Sequence, residues 1–312
     1  MIFEAKNIHK SYHNHVALND VSLSVEKQTI FGLLGPNGAG KTSLIRIVNQ
    51  ITAPDSGEII INGERLSPKH IEQIGYLPEE RGLYKKMEIG EQAMYLAQLK
   101  GMSKQDAKRE LLQWFEKFEI GNWWNKKVEE LSKGMAQKVQ FITTVLHKPK
   151  ILILDEPFSG FDPINANLIK SEIMKLKEEG ATIFLSTHNM GSVEEICDNI
   201  ALINSSKKVL DGKVADIKKD FSKNMFDIDF KGNMIGFANA LWTNYELVDK
   251  HSFDNENHRA TVKILGDNTL NNLLSTLIAE NIELKQINEI IPTMSEIFIE
   301  VVNTNNELNR KN

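Results

Sequence analysis

The chain has almost no cysteine, no long apolar run and no strong excess of either charge. Its single cysteine, Cys197, rules out an internal disulfide and indicates a reducing compartment. We expect Cys197 to be a small apolar residue of a helix rather than a reactive thiol. No apolar run approaches the roughly 18 residues needed to span a bilayer, so any role at a membrane would depend on a partner.

The charge balance and the first residues exclude further classes of protein. The formal net charge is −5, without an arginine-rich block, so we expect no nucleic acid partner. The first residues, MIFEAKNIHK, lack the apolar segment of a secretion signal. These observations predict a cytoplasmic protein. A length of 312 residues favours two domains.

Residues 35–42 read GPNGAGKT, a complete G-x-x-x-x-G-K-[ST] phosphate loop. An apolar, β-rich run (29–34) precedes it, and a run with helical spacing (43–48) follows, which is the context that the motif needs. A chance glycine-rich turn is the alternative, but it would not explain the lysine, the hydroxyl and both flanking elements. The motif therefore predicts a nucleoside triphosphate site formed by Gly35, Pro36, Asn37, Gly38, Ala39, Gly40, Lys41, Thr42 and Ser43.

The residue types of this loop suit phosphate chemistry. The glycines let backbone N–H groups surround a phosphate, and the helix that begins near Lys41 adds its positive N-terminal dipole. Lys41 can reach the β- and γ-phosphates, and the hydroxyl of Thr42 can ligand Mg²⁺.

Two further strand ends carry candidate catalytic groups. In ILILDEP (151–157) an apolar strand ends in Asp155, which can hold Mg²⁺, and in Glu156, which can polarise a water aimed at the γ-phosphate. A solvated acidic turn is the alternative, and the phosphate loop makes it less favoured. His188 follows the apolar strand at 182–185, where a neutral imidazole can donate a hydrogen bond to the γ-phosphate. The lack of an N-K-x-D segment argues against a GTPase.

The pattern of apolar residues predicts an α/β core. Unbroken apolar strands at 151–154 and 182–185, with a helix near 164–178 between them, favour a parallel sheet covered on both faces. Between 88 and 134 the pattern is helical, with Ser103 as an N-cap. The aromatic stripe of this region, Trp114, Phe115 and Phe118, is expected to be helix core rather than a ligand platform.

A second unit is predicted at 222–303. Strands at 226–230, 246–253, 261–265 and 283–288 alternate with helices at 234–242 and 269–280 in the order β-α-β-β-α-β, which is the ferredoxin-like arrangement. A short helix near 294–302 closes this unit. The polar residues 304–312 are expected to fray.

Taken in order, these motifs resemble those of the ATP-binding cassette (ABC) family, the nucleotide-binding subunits of membrane transporters. LSKGMAQK (131–138) is similar to the family signature, normally L-S-G-G-Q, and SGFD (159–162) to the loop that touches the partner subunit. Tyr12 corresponds to the aromatic residue that stacks on adenine, and His188 to the switch histidine. The resemblance implies that residues 1–218 form a RecA-like P-loop NTPase core with an antiparallel β subdomain and a helical subdomain at about 85–148.

The signature also has a physical reading of its own. Ser132 and Gly134 precede an apolar helix at 137–146, so they form another anion site at a helix N-terminus. The resemblance implies a head-to-tail homodimer or heterodimer, in which each signature closes on the ATP of the other chain. Asp162 is then the acidic member of the loop at the partner.

Two departures from the family pattern stand out. Lys133 and Met135 replace the usual Gly and Gln of the signature. Glu79 stands where the family has a Gln after the strand, and its carboxylate can still ligand Mg²⁺ and contact the attacking water. The C-terminal unit and residues 78–99 resemble cassette subunits of sodium- or drug-exporting systems.

These inferences predict the cytosolic ATPase subunit of a bacterial-type ABC exporter, with ATP and Mg²⁺ as cofactors and a separately encoded membrane permease as partner. A soluble cassette protein that acts on ribosomes or DNA is one alternative, although such proteins usually carry two cassettes or a long coiled-coil insertion. A phosphate-loop nucleotide kinase is another, but it would lack the signature and the switch histidine.

Overall fold

A computed structural model describes residues 1–80, 82–241 and 244–311. The chain divides into two compact units, one formed by Met1–Val214 with the residues from Phe298 onward, the other by Ala215–Ile297. The predicted division at 218–222 lies a few residues later. The prediction also missed that the C-terminal segment returns to the first unit.

The first unit is built from short strands and helices. Its strands are β1 (Phe3–Tyr12), β2 (His15–Val25), β3 (Ile30–Leu34), β4 (Ser56–Ile61), β5 (Glu64–Arg65), β6 (Ile74–Leu77), β7 (Ile151–Asp155), β8 (Thr182–Ser186), β9 (Asn199–Asn204) and β10 (Lys207–Lys213). Its helices are α1 (Lys41–Val48), α2 (Pro68–Ile71), α3 (Ile89–Leu99), α4 (Lys104–Lys117), α5 (Lys133–Val145), α6 (Pro163–Glu178) and α7 (Met190–Ile196). Helix α8 (Val214–Asp220) begins at the boundary between the units.

Two sheets organise this unit. The larger has the strand order β10-β9-β3-β8-β7-β6, in which β9, β3, β8, β7 and β6 are parallel and β10 is antiparallel. Strands β3, β7 and β8 are buried along their whole length, as a parallel sheet covered on both faces requires. The smaller sheet is antiparallel, in the order β2-β1-β4-β5. The predicted α/β core with an antiparallel β subdomain is confirmed.

The strand order decides which loops meet. Parallel neighbours end at the same edge of a sheet, so the segments that follow β3, β8, β7 and β6 lie side by side. These segments contain residues 35–40, 187–189, 156 and 78–79, respectively, and Asp155 is the last residue of β7. The register Asp155↔Ser186 places the ends of β7 and β8 directly beside each other.

Helices α3, α4 and α5 form the predicted helical subdomain between β6 and β7. The side chain of Ser103 caps α4 by accepting a hydrogen bond from the backbone N–H of Asp106. Phe115 and Phe118 are buried, and Trp114 packs edge-on against Phe141. The aromatic stripe is therefore helix core, as predicted. Cys197 is also buried, which raises the pKa of its thiol to about 12 and agrees with the prediction of an unreactive residue.

The second unit has its own core and a ferredoxin-like topology. The elements β11 (Met225–Lys231), α9 (Met234–Leu241), β12 (Tyr245–Ser252), β13 (Asn257–Ile264), α10 (Leu270–Ala279) and β14 (Glu283–Glu289) follow in the predicted order. The sheet is antiparallel, in the order β12-β13-β11-β14. Phe230 stacks on Phe237 with ring centroids 4.2 Å apart. Residue 242, the predicted end of the first helix, lies outside the described residues.

The polar C-terminus is helical, so the prediction that it frays was wrong. Helix α11 extends over Met294–Lys311. The amide nitrogen of the buried Asn204 donates to the side-chain oxygens of Asn305 and Asn306, at 2.9 and 3.0 Å. Polarity alone predicted a solvated end, whereas these side-chain hydrogen bonds hold the last turns against β9. No helix in the described part of the chain is long and apolar enough to cross a membrane.

Candidate nucleotide-binding site

The phosphate loop approaches its neighbours so closely that two of its positions must be glycine. Gly35 has φ +149° and Gly40 has φ +116°; a Cβ on either residue would collide with a backbone carbonyl oxygen, of Ile203 and Ala17 respectively. Gly38, with φ +78°, has no neighbour within 4 Å of its Cβ position, so its backbone borders open space. Because Gly38 has no side chain, a ligand can approach the backbone closely at this position.

An open cavity of about 270 Å³ lies over this loop. Its lining comes from four sheet-edge segments and from the β1–β2 hairpin, and consists of Tyr12, His15, Ala17, Asn37, Gly38, Ala39, Gly40, Lys41, Thr42, Ser43, Glu79, Asp155, Glu156 and His188. Most of the predicted site residues therefore meet in one place. Gly35 and Pro36 stand just before the lining segment of the loop. Ser132, Gly134 and Asp162 lie outside this lining.

Lys41 is directed along the loop. Its Nζ donates to the carbonyl oxygens of Gly35 at 2.7 Å and Pro36 at 3.1 Å. An ammonium group has three N–H donors, so one remains for an incoming anion. Burial lowers the pKa of Lys41, while the carboxylates of Asp155 and Glu156 act in the opposite direction. An anionic ligand would stabilise the charged form of this partly desolvated ammonium group.

Three carboxylates, those of Glu79, Asp155 and Glu156, line the cavity. Burial raises the pKa of Asp155, and the charges of Glu79 and Glu156 add to this rise, so a divalent cation beside Asp155 would offset both effects. Among the described residues, no three His, Cys, Asp or Glu side chains form a metal-holding group by themselves. Mg²⁺ is usually held by one or two carboxylates together with substrate phosphates, and this cavity contains those of Asp155 and Glu79.

Glu156 is held by the segment that follows β8. Its Oε1 accepts hydrogen bonds from the backbone N–H of His188 at 2.9 Å and from Nδ1 of the same residue at 2.8 Å. Its Oε2 accepts one from Oγ1 of Thr187 at 3.1 Å. The two catalytic candidates, one from each of two neighbouring strand ends, therefore form a direct pair.

This pairing determines which ring nitrogen of His188 carries a proton. A carboxylate only accepts hydrogen bonds, so Nδ1 must be protonated to donate to Glu156. A neutral ring then has only a lone pair on Nε2. Simultaneous donation from Nδ1 to Glu156 and from Nε2 to a γ-phosphate would require a proton on both ring nitrogens. The exposure of His188 leaves Nε2 accessible.

The hairpin end of the cavity contains a residue that sequence analysis missed. Tyr12 and His15 are cross-strand partners at the end of the β1–β2 hairpin, and both line the cavity. Tyr12 is 37% exposed, and Nζ of Lys10 lies over its ring, 5.4 Å from the ring centroid. The hairpin register would have paired the two residues, but the sequence alone did not reveal that register.

The signature segment has a different geometry. Ser132 caps α5, its hydroxyl accepting a hydrogen bond from the backbone N–H of Met135 at 3.3 Å, and it is exposed. The aliphatic part of Lys133 lies across Gly160, whose Cβ position is only 2.7–3.0 Å from carbons of that side chain. The extra lysine therefore connects the signature to the loop at 159–162.

Asp162 has a local structural role that the sequence analysis did not foresee. Its carboxylate caps α6 by accepting from the backbone N–H of Asn165 at 3.0 Å and from the amide of that residue at 2.5 Å. These hydrogen bonds lower the pKa of Asp162. The side chain is exposed, so the cap also fixes the shape of a surface loop.

Comparison with protein families assigns both units. Residues 18–159 match the family model described as ABC transporter. Residues 212–302 match the C-terminal domain of DrrA1-3-like ATP-binding proteins.

Known relatives and solved structures match about 70% of the chain. The chain is 47% identical over 217 residues to the ABC transporter ATP-binding protein YhaQ of Bacillus subtilis, covering 70% of this chain and 73% of YhaQ. It is 32% identical to the lipopolysaccharide export system ATP-binding protein LptB of Haemophilus influenzae, covering 70% of this chain and 93% of LptB. A solved ATP-binding subunit of an ABC transporter superposes with a TM-score of 0.66 at 31% identity, covering 71% of this chain and 93% of that chain.

Proposed function

Because this chain belongs to the ABC transporter family as an ATPase that energises membrane transport, we propose that it drives an exporter whose membrane-spanning permease is a separate chain. The observation that carries the proposal is the single cavity that joins the phosphate loop to Asp155, Glu156 and His188. In this proposal the protein is peripheral to the membrane and is held there by the permease. No described helix could supply the transmembrane path itself.

The nucleotide would lie along the cavity from the hairpin to the sheet edge. Tyr12 stacks on the base, and His15 contacts it from the paired strand. The loop N–H groups surround the phosphates, and the remaining N–H of Lys41 bonds their outer oxygens. Stacking reads a base face rather than an edge, so discrimination among purine triphosphates should be loose.

Thr42, Asp155 and Glu79 would hold Mg²⁺ together with phosphate oxygens. When bound there, the cation neutralises charge that develops on the phosphates during transfer. Burial and the neighbouring carboxylates raise the pKa of Asp155, so a cation bound at this edge would stabilise its charged form. Glu79 supplies a charge where relatives of this family have a neutral amide.

Hydrolysis would use the pair formed by Glu156 and His188. Glu156 accepts a proton from the attacking water, and its carboxylate is held for this by the two N–H groups of His188. In the imidazolium form, His188 donates to Glu156 through Nδ1 and to the γ-phosphate through Nε2. The histidine thus connects the presence of the γ-phosphate to the position of the base.

We infer that the signature acts on the ATP of a second cassette subunit in a head-to-tail dimer, whether homodimer or heterodimer. Ser132 and Gly134 lie outside the cavity of their own chain, and Ser132 is exposed at the N-terminus of a helix of 13 residues. Such a terminus suits an anion. Asp162 shapes the neighbouring loop that would touch the partner.

Export as the direction of transport rests on two likenesses. The C-terminal unit resembles, in its sequence, cassette subunits of sodium- or drug-exporting systems, and the chain is similar to LptB, whose name describes an export system. Co-purification with an intact permease from membranes, followed by transport assays in vesicles, would test both partner and direction. Movement of the transported substrate toward the side of the membrane on which the ATPase lies would contradict export.

The substitution Glu156→Gln tests the catalytic part of this proposal. We expect ATP binding to persist and hydrolysis to fall by about 10²–10⁴-fold, which is the usual contribution of a positioned general base. Phosphate release, equilibrium ATP binding and size-exclusion chromatography with ATP measure turnover, affinity and dimer formation. The exposed Glu179→Gln is the matched control. Near-normal turnover in Glu156→Gln would exclude the base role, and a monomer with saturating ATP would contradict the dimer.

A further inference from the structure

We propose that Thr187 is a positioning residue for hydrolysis, because its hydroxyl orients the one carboxylate oxygen of Glu156 that can still accept a proton from water. The inference rests on the proposed role of Glu156 as the base. Thr187 does not line the cavity and is 1% exposed, so it acts through Glu156 rather than on the nucleotide.

The two oxygens of Glu156 are used unequally. A carboxylate has about four lone-pair positions, two on each oxygen. Both positions on Oε1 are taken by hydrogen bonds from His188, through its backbone N–H and its Nδ1. Among the residues that the structure describes, Oε2 accepts a single hydrogen bond, from Thr187. The free lone pair therefore belongs to Oε2, and the Thr187 hydroxyl determines where that lone pair points.

The direction of the Thr187 hydroxyl is itself determined by the chain. Oγ1 of Thr187 accepts a hydrogen bond from the backbone N–H of Asn189 at 3.1 Å. One lone pair of the hydroxyl oxygen is thus occupied, and the hydroxyl proton is directed to Oε2 of Glu156. Asn189 in turn caps α7 by accepting from the backbone N–H of Ser192 at 3.0 Å. The orientation of the base is connected in this way to a helix N-terminus.

The backbone at Glu156 explains why such support is needed. Glu156 has φ +49°, in the left-handed region that a non-glycine residue occupies at a cost. Its backbone N–H is fixed by a hydrogen bond to the carbonyl oxygen of Ser186 at 2.8 Å. The side chain of Glu156 is 14% exposed, so packing restricts its stem, and the hydrogen bonds from residues 187–188 set the orientation of its carboxylate. Loss of the Thr187 bond would leave Oε2 free to turn about the axis set by His188.

The test compares Thr187→Val, which removes the hydroxyl at nearly constant shape, with Thr187→Ser, which keeps it. Full-length protein is assayed for phosphate release over a range of ATP concentrations with Mg²⁺. We expect Thr187→Val to lower kcat by about 10- to 100-fold, since a hydrogen bond to a charged group is lost. KM for ATP should stay within about twofold, because no ligand contact changes. Thr187→Ser should keep at least about half of the wild-type kcat.

A matched control separates positioning from stability. Thr182 is the first residue of strand β8, which ends just before Thr187. It is fully buried, and its hydroxyl accepts a hydrogen bond from the backbone N–H of Gln28 at 2.9 Å. Thr182→Val removes a buried hydroxyl far from the catalytic pair and should leave kcat near the wild-type value. Equal kcat in Thr187→Val and Thr182→Val would overturn the proposal, and so would a Thr187→Ser protein as slow as Thr187→Val.

A double variant distinguishes failure of this inference from failure of the proposed function. If Thr187 acts through Glu156, adding Thr187→Val to Glu156→Gln should change the residual turnover by less than about twofold. A further loss of about tenfold would show that Thr187 acts elsewhere and would overturn the inference. If Glu156→Gln alone retained wild-type turnover, the role of the base itself would be wrong.

Discussion

The phosphate-loop cavity and the signature segment belong to the same compact unit, yet they are built in opposite ways. The cavity is concave and is lined by segments from four strand ends, with a buried carboxylate, Asp155, at its base. The signature is an exposed helix N-terminus at which Ser132 faces solvent. In the proposed function, the cavity binds the phosphates with residues of one chain, whereas the signature contacts them only after a second subunit closes on it.

The charged groups of the cavity are more buried than those of the signature, so the electrostatic environments of the two regions differ. Burial lowers the pKa of Lys41 and raises that of Asp155, so the cavity holds charged groups that gain from a bound nucleotide and cation. Lys133 at the signature is exposed and its stem packs on Gly160. A charge in water gains much less from an anion, so we expect the cavity to supply affinity and the signature to supply closure.

The largest predicted effect is the loss of ATP hydrolysis when either the cavity or the signature is changed. ATP binding should weaken only when the cavity is changed. Lys41→Ala should weaken ATP binding by about 10- to 100-fold, since a charge-assisted hydrogen bond to phosphate is removed. Ser132→Arg should bind ATP normally but fail to hydrolyse it, because the bulky cation blocks close approach of the second subunit. Equilibrium binding and phosphate release measure the two properties separately.

Mixing these two variants tests whether the sites are shared. A mixed head-to-tail dimer has one site with both defects and one with neither, so up to about a quarter of wild-type activity should return after random mixing. Full activity and a normal ATP-bound dimer in Ser132→Arg alone would contradict a role of the signature in trans. Lys133 and Met135 would then mark a degenerate signature.

A smaller effect is expected at the hairpin end of the cavity. Tyr12→Ala should weaken ATP binding by about 1–3 kcal/mol, as measured for base–aromatic stacking elsewhere. Tyr12→Phe keeps the ring and should bind almost as well as the wild type. Titration with a fluorescent ATP analogue, competed by ATP and GTP, gives the affinities. Equal binding by the wild type and Tyr12→Ala would show that the ring does not contact the base.

The smallest predicted effect is that of changing His15, one of two histidines in the β1–β2 hairpin. His15 lines the cavity, whereas its neighbour His13, which has φ +50°, does not. His15→Asn should weaken ATP binding by about 1 kcal/mol, roughly fivefold in Kd, through loss of one ring contact. His13→Asn is the matched control, since Asn tolerates the left-handed backbone, and it should bind as the wild type does. Similar losses in both variants would indicate a general disturbance of the hairpin.

Sequence analysis succeeded where local pattern and local chemistry agree. The apolar strands β7 and β8, the capped helix α4 and the β-α-β-β-α-β order of the second unit were all predicted, because burial period and capping chemistry act over a few residues. It failed at the polar C-terminus, because hydrogen bonds from Asn204 hold the last turns of α11 across about a hundred residues of chain. It also missed His15 and Thr187, whose importance depends on what lies opposite them.

The sequence by itself determined the chemical groups of the proposed site. A glycine-rich loop with a lysine, a strand ending in two carboxylates and a strand followed by histidine are local facts, and each has a chemical meaning before folding. Only the tertiary structure decided that β3, β8, β7 and β6 are neighbours, that both oxygens of Glu156 are held by residues 187–188, and that the signature lies outside the cavity of its own chain. Strand order and hydrogen-bond partners depend on contacts between residues far apart in the chain, and no local pattern encodes those contacts.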